Sequence, residues 1–281
     1  MADEAMSSVS GFFPMCGPHA VVSCEISVSL APKEERSLFS KIEGRADELA
    51  ECFSASDEIY SVIIAKGEPP RLEKSGKIFS VGPEQQKDWT VHISEEILKA
   101  TCHQYTRWNM VEAELRKLLR YALEIGEYAG TDLRNISLKV VDQFCHEKMD
   151  DDRYDISCLL SRSSRYLNPL AFAGNKIWHC NSGWFAVSGN NVRCLNHLNV
   201  SAVDGSLEDE GEEVRPVYSV MIEHIQSVKA SDLDLSGTIF ADDHVATVDA
   251  MQWMHKSNKS VMVDLLQENK LRQIGLKWGE E

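Results

Sequence analysis

From Asp243 to Gly275 the chain carries an apolar stripe at helical spacing. At about 100° per residue, Val248, Met251, Met254, Val261, Met262, Leu265 and Leu266 fall on one broad face. A stripe of that width covers a core or a partner, so the segment predicts a long closing helix packed on something larger. His255 and Asn258 fall on the same face. A buried polar group without a hydrogen-bond partner is costly. These two residues are therefore the first candidate site positions.

The body beneath that helix reads as strands. Val22, Cys24, Ile26, Val28 and Leu30 alternate with Ser23, Glu25, Ser27 and Ser29, the period-2 pattern of a sheet with one wet face. Pro32 ends the strand, and Lys33 to Phe53 follows with Leu38, Ile42, Ala46, Leu49 and Phe53 at helical spacing. Strands are expected at Ile59–Ala65, Lys77–Val81 and Trp89–Ile93, set apart by Pro69-Pro70 and Gly82-Pro83. Ser94 is placed to cap a short helix holding Ile97 and Leu98. Asn109 is placed to cap a longer one, with Glu112 closing a capping box and an end near Gly130.

In the second half, Ile136, Leu138, Val140 and Phe144 share a strand face with Asp142, where another apolar residue would be expected. Ser188-Gly189-Asn190-Asn191 joins two strands as a hairpin. Val217–Val228 is a further strand. Strands and helices do not alternate regularly, which favours α+β over a doubly wound sheet. The expected fold is α+β, with mainly antiparallel sheets, a main helix packed on each half and a long C-terminal helix. Residues 1–18 read as a flexible lead, 19–130 as an N-terminal half and 131–281 as a C-terminal half, possible as one continuous domain.

Tyr105-Thr106-Arg107-Trp108 at a helix start, the Leu138 to Phe144 strand with its internal polar residue, and Met254-His255 with Asn258 in the closing helix together carry a resemblance. The chain resembles a sporadically distributed family of uncharacterised bacterial proteins of about this length. It departs from that pattern in having Asp142 where Asn is expected and Met254 in place of Leu. The resemblance implies a shared α+β fold and a bacterial or phage cytoplasmic setting, of the sort common to phage-defence loci, and brings no activity with it.

Charge narrows the function classes. The formal net charge is −15 in 281 residues, which opposes direct nucleic-acid binding and an anionic membrane surface. The opening residues lack a basic stretch followed by an apolar run, and no window approaches 18 apolar residues, so a cytoplasmic location is expected. The eight cysteines are scattered without a Cys-x-x-Cys pair and are expected to be reduced.

No cofactor is implied, because neither Gly-x-Gly-x-x-Gly nor a phosphate-loop Gly-Lys occurs. A Gly-x-Ser-x-Gly elbow is missing too. Zinc is not expected at Cys180, Cys194 and His197. With Val187 opposite Val192, Cys180 stands five positions from the residue facing Cys194, about 17 Å at strand rise. The acidic run near Asp150 to Asp155 lacks the spacing of a calcium loop.

Asp142, His255 and Asn258 are therefore read as one buried polar network between a central strand and the closing helix. Trp253 and Leu271 lie off the main stripe and are read as an exposed patch, the candidate interface of a homodimer. The function expected is that of a non-enzymatic, protein-binding accessory, regulatory or inhibitory factor. The alternatives are a hydrolase using His255 with acidic partners or a metal, and an acidic nucleic-acid mimic.

Overall fold

The structure, a computed structural model, describes residues 11–31, 41, 45, 55–63, 71–81, 88–128, 132–148, 154–207 and 214–276. Ten strands form one antiparallel sheet among these residues. Their ranges are β1 (Phe13–Pro14), β2 (Val21–Leu30), β3 (Ala55–Ile63), β4 (Arg71–Val81), β5 (Trp89–Ser94), β6 (Ile97–Cys102), β7 (Leu133–Glu147), β8 (Trp178–Val187), β9 (Arg193–Leu207) and β10 (Arg215–Lys229). The helices are α1 (Trp108–Ile125), α2 (Val245–Leu265) and α3 (Glu268–Gln273).

The strand order is β3-β4-β5-β6-β2-β7-β10-β9-β8, with β1 added against β7. A two-fold arrangement is visible in that order. After β2, the strands β3 to β6 meander back to lie beside β2, and α1 closes the run. After β7, the strands β8 to β10 meander back to lie beside β7, and α2 closes it. β2 and β7 meet antiparallel at the centre, with Ser27 opposite Ser137, so one sheet runs through both halves.

Alternation along the strands sorts the two faces. Cys24, Ile26, Val28 and Leu30 of β2 are buried with Ile136, Leu138 and Val140 of β7, and α1 packs over them through Val111, Leu115, Leu119 and Ala122. Met251 and Met254 of α2 join that core. Farther along the helix, Val261, Met262 and Leu265 enter a second core with Phe144, Leu198, Val220 and Ile222. Midway along β7 and β10 the opposite face is polar: Lys139 pairs with Glu223 at 2.5 Å, and Ser137 bonds Ser227 at 2.9 Å. No described helix is long and apolar enough to cross a membrane.

The α+β class and the antiparallel sheet agree with the sequence; several helix expectations do not. The helix expected at Lys33–Phe53 lies almost wholly outside the described residues. Ile97 and Leu98 belong to β6, not to a helix capped by Ser94. The Ser94 hydroxyl instead donates to the Ile97 carbonyl (3.2 Å) across the β5–β6 turn. α1 starts at Trp108, one residue before the expected cap, and Glu112 pairs with Arg116 instead of closing a capping box.

The closing helix is not continuous. After Leu265 the backbone turns extended at Leu266 and bridges Leu160: Ser161 N–H bonds Leu265 O (2.7 Å) and Gln267 N–H bonds Leu159 O (2.9 Å). Tertiary backbone bonds there take over from the helical ones. The hairpin register is one residue off the expected one, with Val187 facing Arg193 and Cys194 facing Ala186.

Candidate functional site

Strand alternation and the path of α2 bring the three predicted polar residues to one cavity. Even-numbered residues of β7 face the helices, so Asp142 points under α2 in line with Leu138, Val140 and Phe144. A register shift between Val21 and Ser23, where β2 begins beside Asp142, interrupts the β2–β7 ladder at that point. Above it, His255 and Asn258 lie one turn apart on the buried face of α2. The start of α1 contributes Trp108, whose indole stacks on the His255 ring at 4.2 Å and 8°.

Together these elements line a cavity of about 500 Å³ that also includes Cys24, Tyr105, Arg107, Lys256 and Lys259. Burial lifts the Asp142 carboxyl from 3.8 to about 7, and no neighbouring cation pulls it back. The same burial, helped by Lys259, holds His255 down to about 3, so its ring is neutral. Both ring nitrogens of His255 are buried without a hydrogen-bond partner. Asp142 and His255 therefore share a cavity without forming an ion pair. The Cys24 thiol is pushed up by burial first and by Cys102 second, which leaves it a poor nucleophile. Burial raises the Tyr105 phenol as well.

The network expected for His255 belongs to another histidine. His224 of β10 lies between two amides, with Nδ1 2.9 Å from Asn258 Oδ1 and Nε2 3.1 Å from Asn196 Oδ1. Burial lowers its pKa to about 4, against the raising effect of the Asn258 bond, so the ring is neutral at pH 7. A neutral imidazole has one N–H. The ring therefore donates that proton to one of the two amide oxygens, and the other amide presents its NH₂ to the unprotonated nitrogen. Asn196 Nδ2 is engaged with Cys194 O at 3.4 Å. Trp184 stacks on the ring at 5.6 Å.

His224 and Asn196 were legible in principle. Each is a polar residue inside an alternating apolar run, His224 after Val220 and Ile222, and Asn196 between Cys194 and Leu198.

The expected exposed pair on α2 and beyond is corrected. Leu271 sits on α3, only 3% exposed and part of the second core, because the break at Leu266 turns α3 back onto the body. Trp253 is half-buried against the first core. They do not make one surface patch. Trp253 instead lines a second cavity of about 690 Å³, beside Asp232, Asp234, Asp243 and Asp249.

Lys256 lies between the two cavities and lines both, whereas Arg107 and Lys259 line the Asp142 cavity alone. The Asp142 cavity has Arg107, Lys256 and Lys259 exposed along it. Each is free of any ion pair to a described carboxylate, and Asp142 is the sole carboxylate among the lining residues. No grouping of His, Cys, Asp and Glu suited to a metal occurs among the described residues. Comparison with family models, with curated proteins and with solved structures finds no match.

Proposed function

We propose that this protein is a binding protein whose cavity between α2, the start of α1 and the β2–β7 strands takes a small anionic molecule. The observation that carries the reading is the charge of the lining. In a chain of net charge −15, three unpaired basic side chains line a cavity whose one carboxyl is raised by burial to about 7. Background charge alone would put carboxylates there. The ligand's acidic group meets Arg107, Lys256 and Lys259. Its body packs on the apolar lining and offers hydrogen bonds to Asp142 and to the orphan nitrogens of His255. A pocket with an apolar lining and a few convergent polar groups is the usual form of a small-molecule site.

Binding is preferred to hydrolysis for a chemical reason. His255 has too low a proton affinity to serve as a base near neutral pH, and Cys24 is not activated as a nucleophile. Recruitment of a protein partner, the regulatory role expected from the sequence, is compatible with ligand control of that partner.

The test uses 8-anilinonaphthalene-1-sulfonate, an aromatic anion, beside the uncharged N-phenyl-1-naphthylamine. The sulfonate is expected to bind once per chain, and an Arg107→Ala, Lys259→Ala double variant to bind it about tenfold more weakly. Equal affinity for the two dyes, or an unchanged affinity in the double variant, would show that the cations do not select the ligand.

A further inference from the structure

The two ends of the sheet are built differently. β3, at one end, carries Asp57 and Glu58 and is broken in register between Ile59 and Tyr60. Charge and irregularity are the usual guards against one sheet edge pairing with another. β8, at the other end, has neither. Its ten residues, Trp-His-Cys-Asn-Ser-Gly-Trp-Phe-Ala-Val, include no Asp, Glu, Lys, Arg or Pro, and they pair with β9 without a register shift.

The free side of β8 can be read from the ladder. Ser188 N–H bonds Val192 O at 2.9 Å, so the even-numbered residues of β8 exchange their backbone bonds with β9. The odd-numbered His179, Asn181, Gly183, Phe185 and Val187 therefore direct N–H and C=O outward. No described segment outside β9 pairs with β8. Phe185 and Val187 are 67% and 58% exposed, and Leu195, opposite Phe185 on β9, extends the apolar surface they form.

We propose that two copies of this chain pair through their β8 edges, antiparallel about a two-fold axis, to make one continuous sheet. The partner is a second copy because an antiparallel edge is self-complementary and closes, and charge selects β8 as the place of contact. Two chains of net charge −15 repel each other over most of their surfaces, and β8 is a stretch where no ionised carboxylate opposes contact. A strand paired antiparallel with its own copy is self-complementary. The arrangement closes at two, leaving a guarded β3 at each outer end. Phe185 and Val187 of each copy then gain cross-strand neighbours on the open face.

Sedimentation across a concentration series, with two variants, tests the pairing. Asn181→Pro removes an outward N–H and no bond to β9. Phe185→Lys places a cation on the paired edge of each copy and leaves the backbone untouched. The wild type is expected to be a dimer, and each variant to associate at least about tenfold more weakly with an unchanged circular dichroism spectrum. Amide exchange at Asn181, Gly183 and Phe185 is expected to be slow in the dimer and fast in Phe185→Lys. This readout holds even if Asn181→Pro does not fold. A wild type that stays monomeric at every concentration, or a dimer that persists in Phe185→Lys with these amides exchanging freely, would overturn the proposal.

Discussion

At the scale of single residues, Asp142 and the two buried histidines respond to burial in opposite senses. The Asp142 carboxyl is lifted from 3.8 to about 7. Between these values the folded chain holds a proton that the unfolded chain releases. The contribution of Asp142 to stability is therefore full below about pH 4 and is lost as the pH rises through 7. His224 and His255 are lowered from 6.5 to about 4 and about 3. Their contribution is full above 6.5 and is lost as the pH falls. Asp142→Asn keeps the shape without the charge. It is expected to raise the unfolding free energy at about pH 8 by roughly 1–3 kcal/mol and to change it little at about pH 4. Urea denaturation at the two pH values checks this; an equal effect at both would mean that Asp142 does not carry the shift. The sequence marked Asp142, His255 and Asn258 as polar residues on apolar faces, and the structure places all three at one cavity. It could not show that Asn258 bonds His224, because that pairing joins α2 to β10 across a distance no local pattern encodes.

At the scale of elements, one ion pair ties α1 to the entry of α2. Arg116 Nε meets Glu112 Oε1 at 2.5 Å inside the fold, and its Nη1 reaches Phe240 O at 3.3 Å, Ala241 O at 3.0 Å and Asp242 Oδ1 at 3.3 Å. Phe240 is fully buried with φ at +63°, a conformation that a bulky side chain adopts only under constraint. The guanidinium holds that turn by its carbonyls and so fixes where α2 begins. Arg116→Ala strands Glu112 and frees the turn, an expected loss of about 3–5 kcal/mol. An Arg116→Met, Glu112→Gln double variant removes both charges and is expected to lose less. Chemical denaturation of the two variants distinguishes them, and a double variant as unstable as Arg116→Ala would place the cost in the turn and not in the buried charge. In the sequence Glu112 fits a capping box, because Asn109 stands three residues before it. The helix instead begins two residues earlier, with Arg107 at the cap position, and burial gives Glu112 a partner one turn along.

At the scale of the whole molecule, charge and the sheet edge act against each other. The proposed dimer joins two bodies of net charge −15 through strands without ionised carboxylates or ammonium groups. Salt screens repulsion over a Debye length of about 10 Å at 0.1 M. Raising sodium chloride from about 0.05 to 0.5 M is therefore expected to tighten self-association. Sedimentation at the two salt concentrations measures it, and weakening with salt would mean that ion pairs hold the copies together.

What the sequence determined by itself was local. Period-2 alternation marked β2, β5 and β7, since side chains on a strand take opposite faces whatever the strand's neighbours. The turn residues Ser188 to Asn191 joined β8 to β9, and the apolar stripe marked α2. Tertiary structure alone decided which strands became neighbours, where the closing helix broke, and that Leu271 was inward. Each of those outcomes depends on contacts between residues far apart in the chain: the bridge of Leu266 to Leu160, the pairing of β2 with β7, and the packing of Trp108 on His255. The cationic cavity and the bare β8 edge belong with them, because each exists only when separate elements meet, or fail to meet, in space.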